Sequence, residues 1–337
     1  MGSHRRLAPS GFDRGASVAV SLLSVAAAAL VAVPAAAAPY DDTRAKVDRL
    51  YEQAEKATEA YNAADERADA LREEVGTARD RIARQQQRIN SLRESIGSLA
   101  GAQYRAGGID PAVALLFSDD PDDYLDKASR LDRITAHQAG ELKDLQDAMR
   151  ELAQDRAEAA DKLRELERSR KAVAAHKKTV ERKLASARRL LNSLPDGERD
   201  AYDRASRSGR DDVPDLGGAT AASGRGAAAV AAARSALGKP YVWGASGPTG
   251  FDCSGLMQWS YAQAGVSLPR TSQAQRFAGR QVPLSEARPG DLVVYRADAS
   301  HVGMYMGNGQ VIHAPYPGAP VRYDPVGMMP VSSVTRV

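Results

Sequence analysis

From Val47 to Leu99 the chain sets Leu50, Ala54, Ala57, Tyr61, Ala64, Ala68, Leu71, Val75, Ala78, Ile82, Gln85, Ile89, Leu92 and Ile96 at steps that alternate between three and four residues. Only Gln85 interrupts this stripe with a polar side chain. A seam of that period holds one face of a helix against a partner along its whole length, so the segment is predicted to be a coiled-coil arm. A second arm, from about Tyr124 to Leu194, keeps one seam position apolar at Leu145, Leu152, Ala159, Leu166, Val173, Val180, Ala187 and Leu194. Its other seam position reads Arg156, Arg170 and Lys177. Three cations in a continuous two-helix seam would be poorly solvated, so this stretch is expected to splay, leave its partner or present a surface. Two such arms in one chain, roughly 80 and 100 Å long at 1.5 Å per residue, pack most naturally as an antiparallel hairpin.

Charge and composition divide the rest. Residues 41–194 carry 29 Lys plus Arg against 30 Asp plus Glu, the mixed-charge density of long helices. Residues 227–337 carry only 9 basic and 5 acidic residues and are richer in Gly, Pro, Tyr and Met, the composition of a small globular domain with its own core. Between them, residues 195–226 hold Pro195, Pro214 and an excess of Gly, Ser and Asp, and are expected to form a flexible linker. Residues 101–125 are more than a turn. Gly107 and Gly108 end the first arm, Pro111 can start a short helix bearing Val113, Leu115, Leu116 and Phe117, and Ser118 to Pro121 restart the chain with capping acids. That apolar cluster either caps the hairpin's own seam or is a protein-binding tip.

The first 38 residues run from His4, Arg5 and Arg6 through an apolar stretch, Val18 to Val33, to PAAAAP. This is the order of a secretory signal peptide, with cleavage expected near Ala38; the apolar run is about 16 residues, short of the roughly 20 that an uncleaved membrane anchor needs. A secreted, extracytoplasmic setting at the cell wall is therefore expected. A net charge of +3 is too small to point to nucleic acid.

In that oxidising setting the chain has a single cysteine, Cys253, which cannot form an internal disulfide. It opens a predicted helix, CSGLMQWSYAQAG, where the positive end of the helix dipole favours thiolate. A base is still needed, because an ordinary thiol is only a few per cent ionised at neutral pH. Two histidines can supply it. DLVVYR, HVGMYMG and VIHAP read as three successive antiparallel strands, which puts His301 and His313 on neighbours about 4.8 Å apart, with one imidazole fixing the tautomer of the other. A cysteine at a helix start with base and orienter on adjacent strands has the geometry of a papain-like nucleophile. Metal binding by Asp252, Cys253, His301 and His313 is the alternative, but there is no close Cys or His pair of ligand spacing, and neither metal nor cofactor is expected.

These residues also carry a resemblance. YVWGASGPTGFDCSGL, LPRTSQAQ, RPGDLVVY and HVGMYMGNGQVIHAP, in that order, resemble the NlpC/p60-type peptidoglycan endopeptidases of bacterial cell walls. The resemblance implies an α+β papain-like catalytic domain, with helices against a small antiparallel sheet, that hydrolyses peptidoglycan stem peptides, typically between D-glutamate and the diamino acid at position three. It implies Cys253 as nucleophile, His301 as general base, His313 as orienting residue and Tyr241 as a hydroxyl near the oxyanion. Asp252, Ser254, Arg270, Ser272, Gln273 and Trp243 would contact substrate. The coil, QYRAGG and DPDDYL resemble the amino-terminal coils of actinobacterial Rip-type division hydrolases, implying a catalytic cleft covered by the coil and a partner in the extracellular part of the FtsE/FtsX membrane complex. Two other readings stay open: a non-catalytic scaffold or activator, and a papain-like amidase or acyltransferase acting on another bond.

Overall fold

The computed structural model describes residues 39–105, 107, 113, 121–207, 221 and 223–337. The signal-peptide reading of residues 1–38 and most of the 101–125 tip lie outside the described residues. Among those described, no helix is long and apolar enough to cross a membrane.

Helix α1 (Pro39–Arg105) and helix α2 (Pro121–Asn192) pack along each other as the hairpin arms. The predicted stripe on α1 is the buried one: Val47, Ala54, Ala68, Leu71, Val75, Ala78 and Ile89 are all shielded from solvent. On α2 the apolar position is buried at Leu152, Ala159, Val180 and Ala187, but its companion differs from expectation. Arg156, Arg170 and Lys177 face solvent. The position turned towards α1 instead includes Ala148, Asp155, Lys162 and Ser169. The helix has rotated by one residue because these polar groups find partners across the seam. Arg81 Nε donates to Asp155 Oδ1 at 2.6 Å, Lys162 pairs with Glu74, and Ser169 Oγ donates to the Ala64 carbonyl at 2.7 Å. A polar seam position is tolerable once each group is bonded, so the arms need not splay.

The expectation of a flexible linker over 195–226 is corrected at both ends. Helix α3 (Asp196–Arg207) begins directly after Pro195, with Asp196 and Glu198 in the first turn where the dipole favours acids, and Tyr202 buries against the hairpin. Helix α4 (Gly224–Ser235) starts inside the same stretch, capped by Ser223, whose Oγ accepts from the Gly226 N–H at 3.0 Å.

The carboxy-terminal domain lays α4 and helix α5 (Cys253–Gln263) against a six-stranded antiparallel sheet. In chain order its strands are β1 (Arg280–Val282), β2 (Leu292–Tyr295), β3 (His301–Gly307), β4 (Gln310–His313), β5 (Arg322–Pro325) and β6 (Val331–Arg336). In space they run β1-β6-β2-β3-β4-β5. A short helix, α6 (Ser272–Gln275), precedes β1. Strand alternation sends Leu292, Val294, Val302, Met304 and Ile312 into a core shared with Leu256, Met257 and Tyr261 of α5. Tyr261 anchors that helix by donating its hydroxyl to the Gly290 carbonyl at 2.6 Å. The sheet thus supplies a rigid floor, with the start of α5 held over the start of β3.

Candidate active site

Cys253 is the first residue of α5, and Asp252 before it is the N-cap, its Oδ1 accepting from the Gly255 N–H at 2.7 Å. The same carboxylate accepts from Arg270 through both oxygens (Nη1 3.0 Å, Nη2 2.6 Å) and from the Gly244 N–H at 3.0 Å. Asp252 is fully buried and engaged on both oxygens, so it holds the helix start and the Arg270 loop rather than offering an open face to substrate. Arg270 also donates to Ser254 Oγ at 2.9 Å. Ser272 reaches back across the cleft to donate its hydroxyl to the Ala299 carbonyl at 2.7 Å. Gln273 lies apart, its amide 3.4 Å from the Asp298 carbonyl on the rim. Trp243 is half-buried and packs edge-on against Tyr61 of α1, with ring centroids 5.2 Å apart.

His301 opens β3, and its Nε2 lies 2.7 Å from Nδ1 of His313 at the end of β4. Gly303 permits this approach, since a Cβ there would sit 3.2 Å from the Cβ of His313. Sequence reasoning missed the next link: His313 Nε2 lies 2.8 Å from Asp324 Oδ2 on β5, and that oxygen also accepts from Arg322 Nε at 2.8 Å. The chain fixes the tautomers. A carboxylate facing Nε2 requires a proton there, which leaves Nδ1 of His313 as acceptor, so His301 must donate from Nε2, and its Nδ1 is the nitrogen left to exchange a proton at the reactive end of the site. Burial pushes the His313 pKa down to about 4, assisted by neighbouring His301, so His313 is a neutral acceptor at neutral pH. Asp324 titrates below the usual carboxylate range, because His313 and Arg322 outweigh its burial.

Helix α1 reaches into this site through carboxylates that nothing in the sequence singled out. Glu55 Oε1 contacts His301 Nδ1, and Glu55 Oε2 accepts from Arg296 Nη1 at 2.6 Å. Glu59 Oε1 lies 3.6 Å from the Cys253 sulfur and 2.7 Å from Ser254 Oγ, while its Oε2 accepts from the Ser272 N–H at 2.7 Å. One donor atom each of Glu55, Cys253 and His301 falls within 4.8 Å of the others. Around them Asn62 donates to Asp252 at 3.1 Å, Lys56 pairs with Asp298 at 3.0 Å, and Tyr51 stacks on Tyr316 with centroids 5.1 Å apart.

This contact reverses the expected charge state of the nucleophile. A helix start alone would favour thiolate, yet the Cys253 pKa is pushed well above the ordinary range by burial, then by Glu59, Glu55 and Asp252. Burial also lifts Glu59 to about 7, with Asp252 adding repulsion. Glu55 is held below the usual range, because His301 and Arg296 outweigh burial. The Tyr241 hydroxyl is driven far upward by burial and then by the adjacent Cys253, which keeps it a neutral donor. In this arrangement the thiol stays protonated and its base is occupied by a carboxylate.

Residues 238–334 match the model of the NlpC/P60 family. The carboxy-terminal domain belongs to that family. The chain is 48% identical over 125 residues to a probable endopeptidase of Corynebacterium glutamicum, a match covering 37% of this chain and 59% of that protein. It is 52% identical over 97 residues to the probable endopeptidase p60 of Listeria monocytogenes, covering 28% of this chain and 20% of that protein. The chain therefore spans less than two thirds of the length of these curated relatives. Among solved structures, the NlpC/p60 domain of the peptidoglycan hydrolase SagA is 37% identical and matches 33% of this chain and 98% of its own, with a TM-score of 0.32. Within the NlpC/P60 domain, Cys253 lies close to His301, and His301 is linked to His313.

Proposed function

We propose that this protein is a secreted cysteine endopeptidase that cuts peptidoglycan stem peptides at the D-glutamyl to diamino acid bond, and that α1 keeps it latent. The observation that carries the reading is the aligned set Cys253, His301, His313 and Asp324 in an NlpC/P60 domain, with Glu55 and Glu59 of α1 laid over its reactive end. Once α1 leaves, His301 Nδ1 takes the thiol proton and the sulfur attacks the amide carbonyl. Backbone N–H groups at the start of α5 and the Tyr241 hydroxyl stabilise the oxyanion, His301 returns the proton to the leaving amine, and water releases the acyl-enzyme. Ser254 and Ser272, freed from Glu59, line with Arg270 the face where the stem peptide lies.

Latency gives the coil its purpose. Glu59 lies 46 residues from the end of α1 at Arg105, about 70 Å of continuous helix. A partner gripping the far end of the hairpin, for which the extracellular part of the FtsE/FtsX complex is our candidate, could lever α1 out of the cleft.

The test is mass spectrometry of fragments released from purified peptidoglycan by three full-length chains: the parent, Glu55→Lys/Glu59→Lys, and the latter with Cys253→Ala. Lysines beside Arg296 and Arg270 repel, so the double variant should undock and release fragments split between stem residues two and three. The parent should release little and the Cys253→Ala chain none. No products from the double variant, or products that survive Cys253→Ala, would overturn the reading.

A further inference from the structure

The latent site has more ligating power than latency requires. A thiol, an imidazole nitrogen and two carboxylates converge there from opposite parts of the chain, all at most 5% exposed: Cys253 and His301 from the catalytic domain, Glu55 and Glu59 from α1. We propose that the docked state is a divalent transition-metal site, with zinc the natural occupant, held by Cys253 Sγ, His301 Nδ1 and Glu55, whose donor atoms lie within 4.8 Å of one another, with Glu59 at its edge bonded to Ser254 and Ser272. The inference rests on the docking of α1 described above.

Four features support it. Donor type is the first: thiolate and imidazole together select zinc over magnesium or calcium. Spacing is the second. With Zn–S near 2.3 Å and Zn–O near 2.0 Å, sulfur and oxygen stand about 3.5 Å apart across a tetrahedral ion, so the donors must already be close together. Glu55 and His301 lie within 4.8 Å of the sulfur and need only part slightly from each other. The third is outer support. A ligating histidine commits its other nitrogen to a hydrogen bond that fixes its tautomer; His301 Nε2 is so committed to His313, and His313 to Asp324. The fourth is access, through a cavity of about 420 Å³ beside Glu55, Arg296 and His313.

Charge balances as well. Binding expels the thiol proton and the proton shared by His301 Nδ1 and Glu55, while the ion brings two positive charges, so the total is unchanged and the pairs of Arg296 with Glu55 and Arg270 with Asp252 can persist. Metal and coil then act on each other. The ion bridges α1 to the catalytic domain, and withdrawal of α1 strips it to two protein ligands and releases it.

Cobalt(II) is the probe, added to metal-stripped full-length protein. The parent chain should bind one cobalt with the near-ultraviolet sulfur-to-cobalt charge-transfer band, and zinc should displace it. Cys253→Ser should abolish the band, and Glu55→Ala, its helix content checked by circular dichroism, should weaken binding on the order of tenfold or more. Absence of the band in the parent chain overturns the site, as does equal affinity in parent and Glu55→Ala, since the catalytic pair alone would then hold the ion. Hydrolysis measured with chelator present separates this from failure of docking. If the parent is as active as Glu55→Lys/Glu59→Lys, the covered cleft is wrong and the metal site falls with it; a latent parent without the band overturns the metal alone.

Discussion

Asp324, through His313, decides which nitrogen of His301 carries the proton. Asp324→Asn, made in the Glu55→Lys/Glu59→Lys background, lets an amide N–H face His313 Nε2 and so permits the wrong tautomer. We expect kcat to fall on the order of ten- to a thousandfold with KM little changed, and Asp324→Glu to recover part of the loss. Steady-state kinetics on a stem peptide, with the pH profile of kcat/KM, check this; a KM effect alone would mean that Asp324 only shapes the cleft. Cys253, His301 and His313 were legible in the sequence because each sits in a local pattern: a lone thiol at a helix start, and histidines on successive short strands. Asp324 has no such mark, lying 11 residues beyond His313 on a strand with no motif of its own. Glu55 and Glu59 were illegible for the opposite reason, since in a helix this rich in charge nothing local separates a carboxylate that enters a cleft from one that faces water.

At the scale of elements, the start of α5 is the joint on which the site depends. A Cβ at Gly255 would fall 2.2 Å from the Ala245 carbonyl oxygen and 2.8 Å from Asp252 Oδ1. Gly255→Ala must therefore displace the loop or break the cap, and we expect a loss of about 2 kcal/mol or more in thermal unfolding, together with lost hydrolysis in the undocked background. Unfolding at the parent's temperature would show that the loop yields freely. The hairpin offers a matched pair. Ile89 is buried in the seam, whereas Ile134 is 48% exposed on α2. Ile89→Ala should cost about 2–5 kcal/mol and Ile134→Ala no more than about 0.5 kcal/mol in the unfolding of the hairpin. The α1 seam could be read from its period alone. Which face α2 presents could not, because Arg81 and Glu74, the residues that make Asp155 and Lys162 welcome in the seam, lie more than 70 positions away.

At the scale of the whole molecule, one helix serves two surfaces. The stripe Ala54, Ala57, Ala68 and Leu71 holds α1 to α2, while Tyr51, Glu55, Glu59 and Asn62, on a neighbouring face, hold it to the catalytic domain. The second surface is polar and charged, the kind that can be parted without exposing a large apolar area. Opening it frees the base and removes two carboxylates from beside the thiol in a single movement. The sole cysteine of the chain reports on that movement directly. The decisive measurement is the rate at which iodoacetamide alkylates Cys253 in the parent and in Glu55→Lys/Glu59→Lys, with chelator present and mass spectrometry as readout. The covered cleft predicts slow labelling of the parent and labelling on the order of a hundredfold faster in the double variant, as the thiol becomes both accessible and ionisable. Equal rates in the two chains would contradict it.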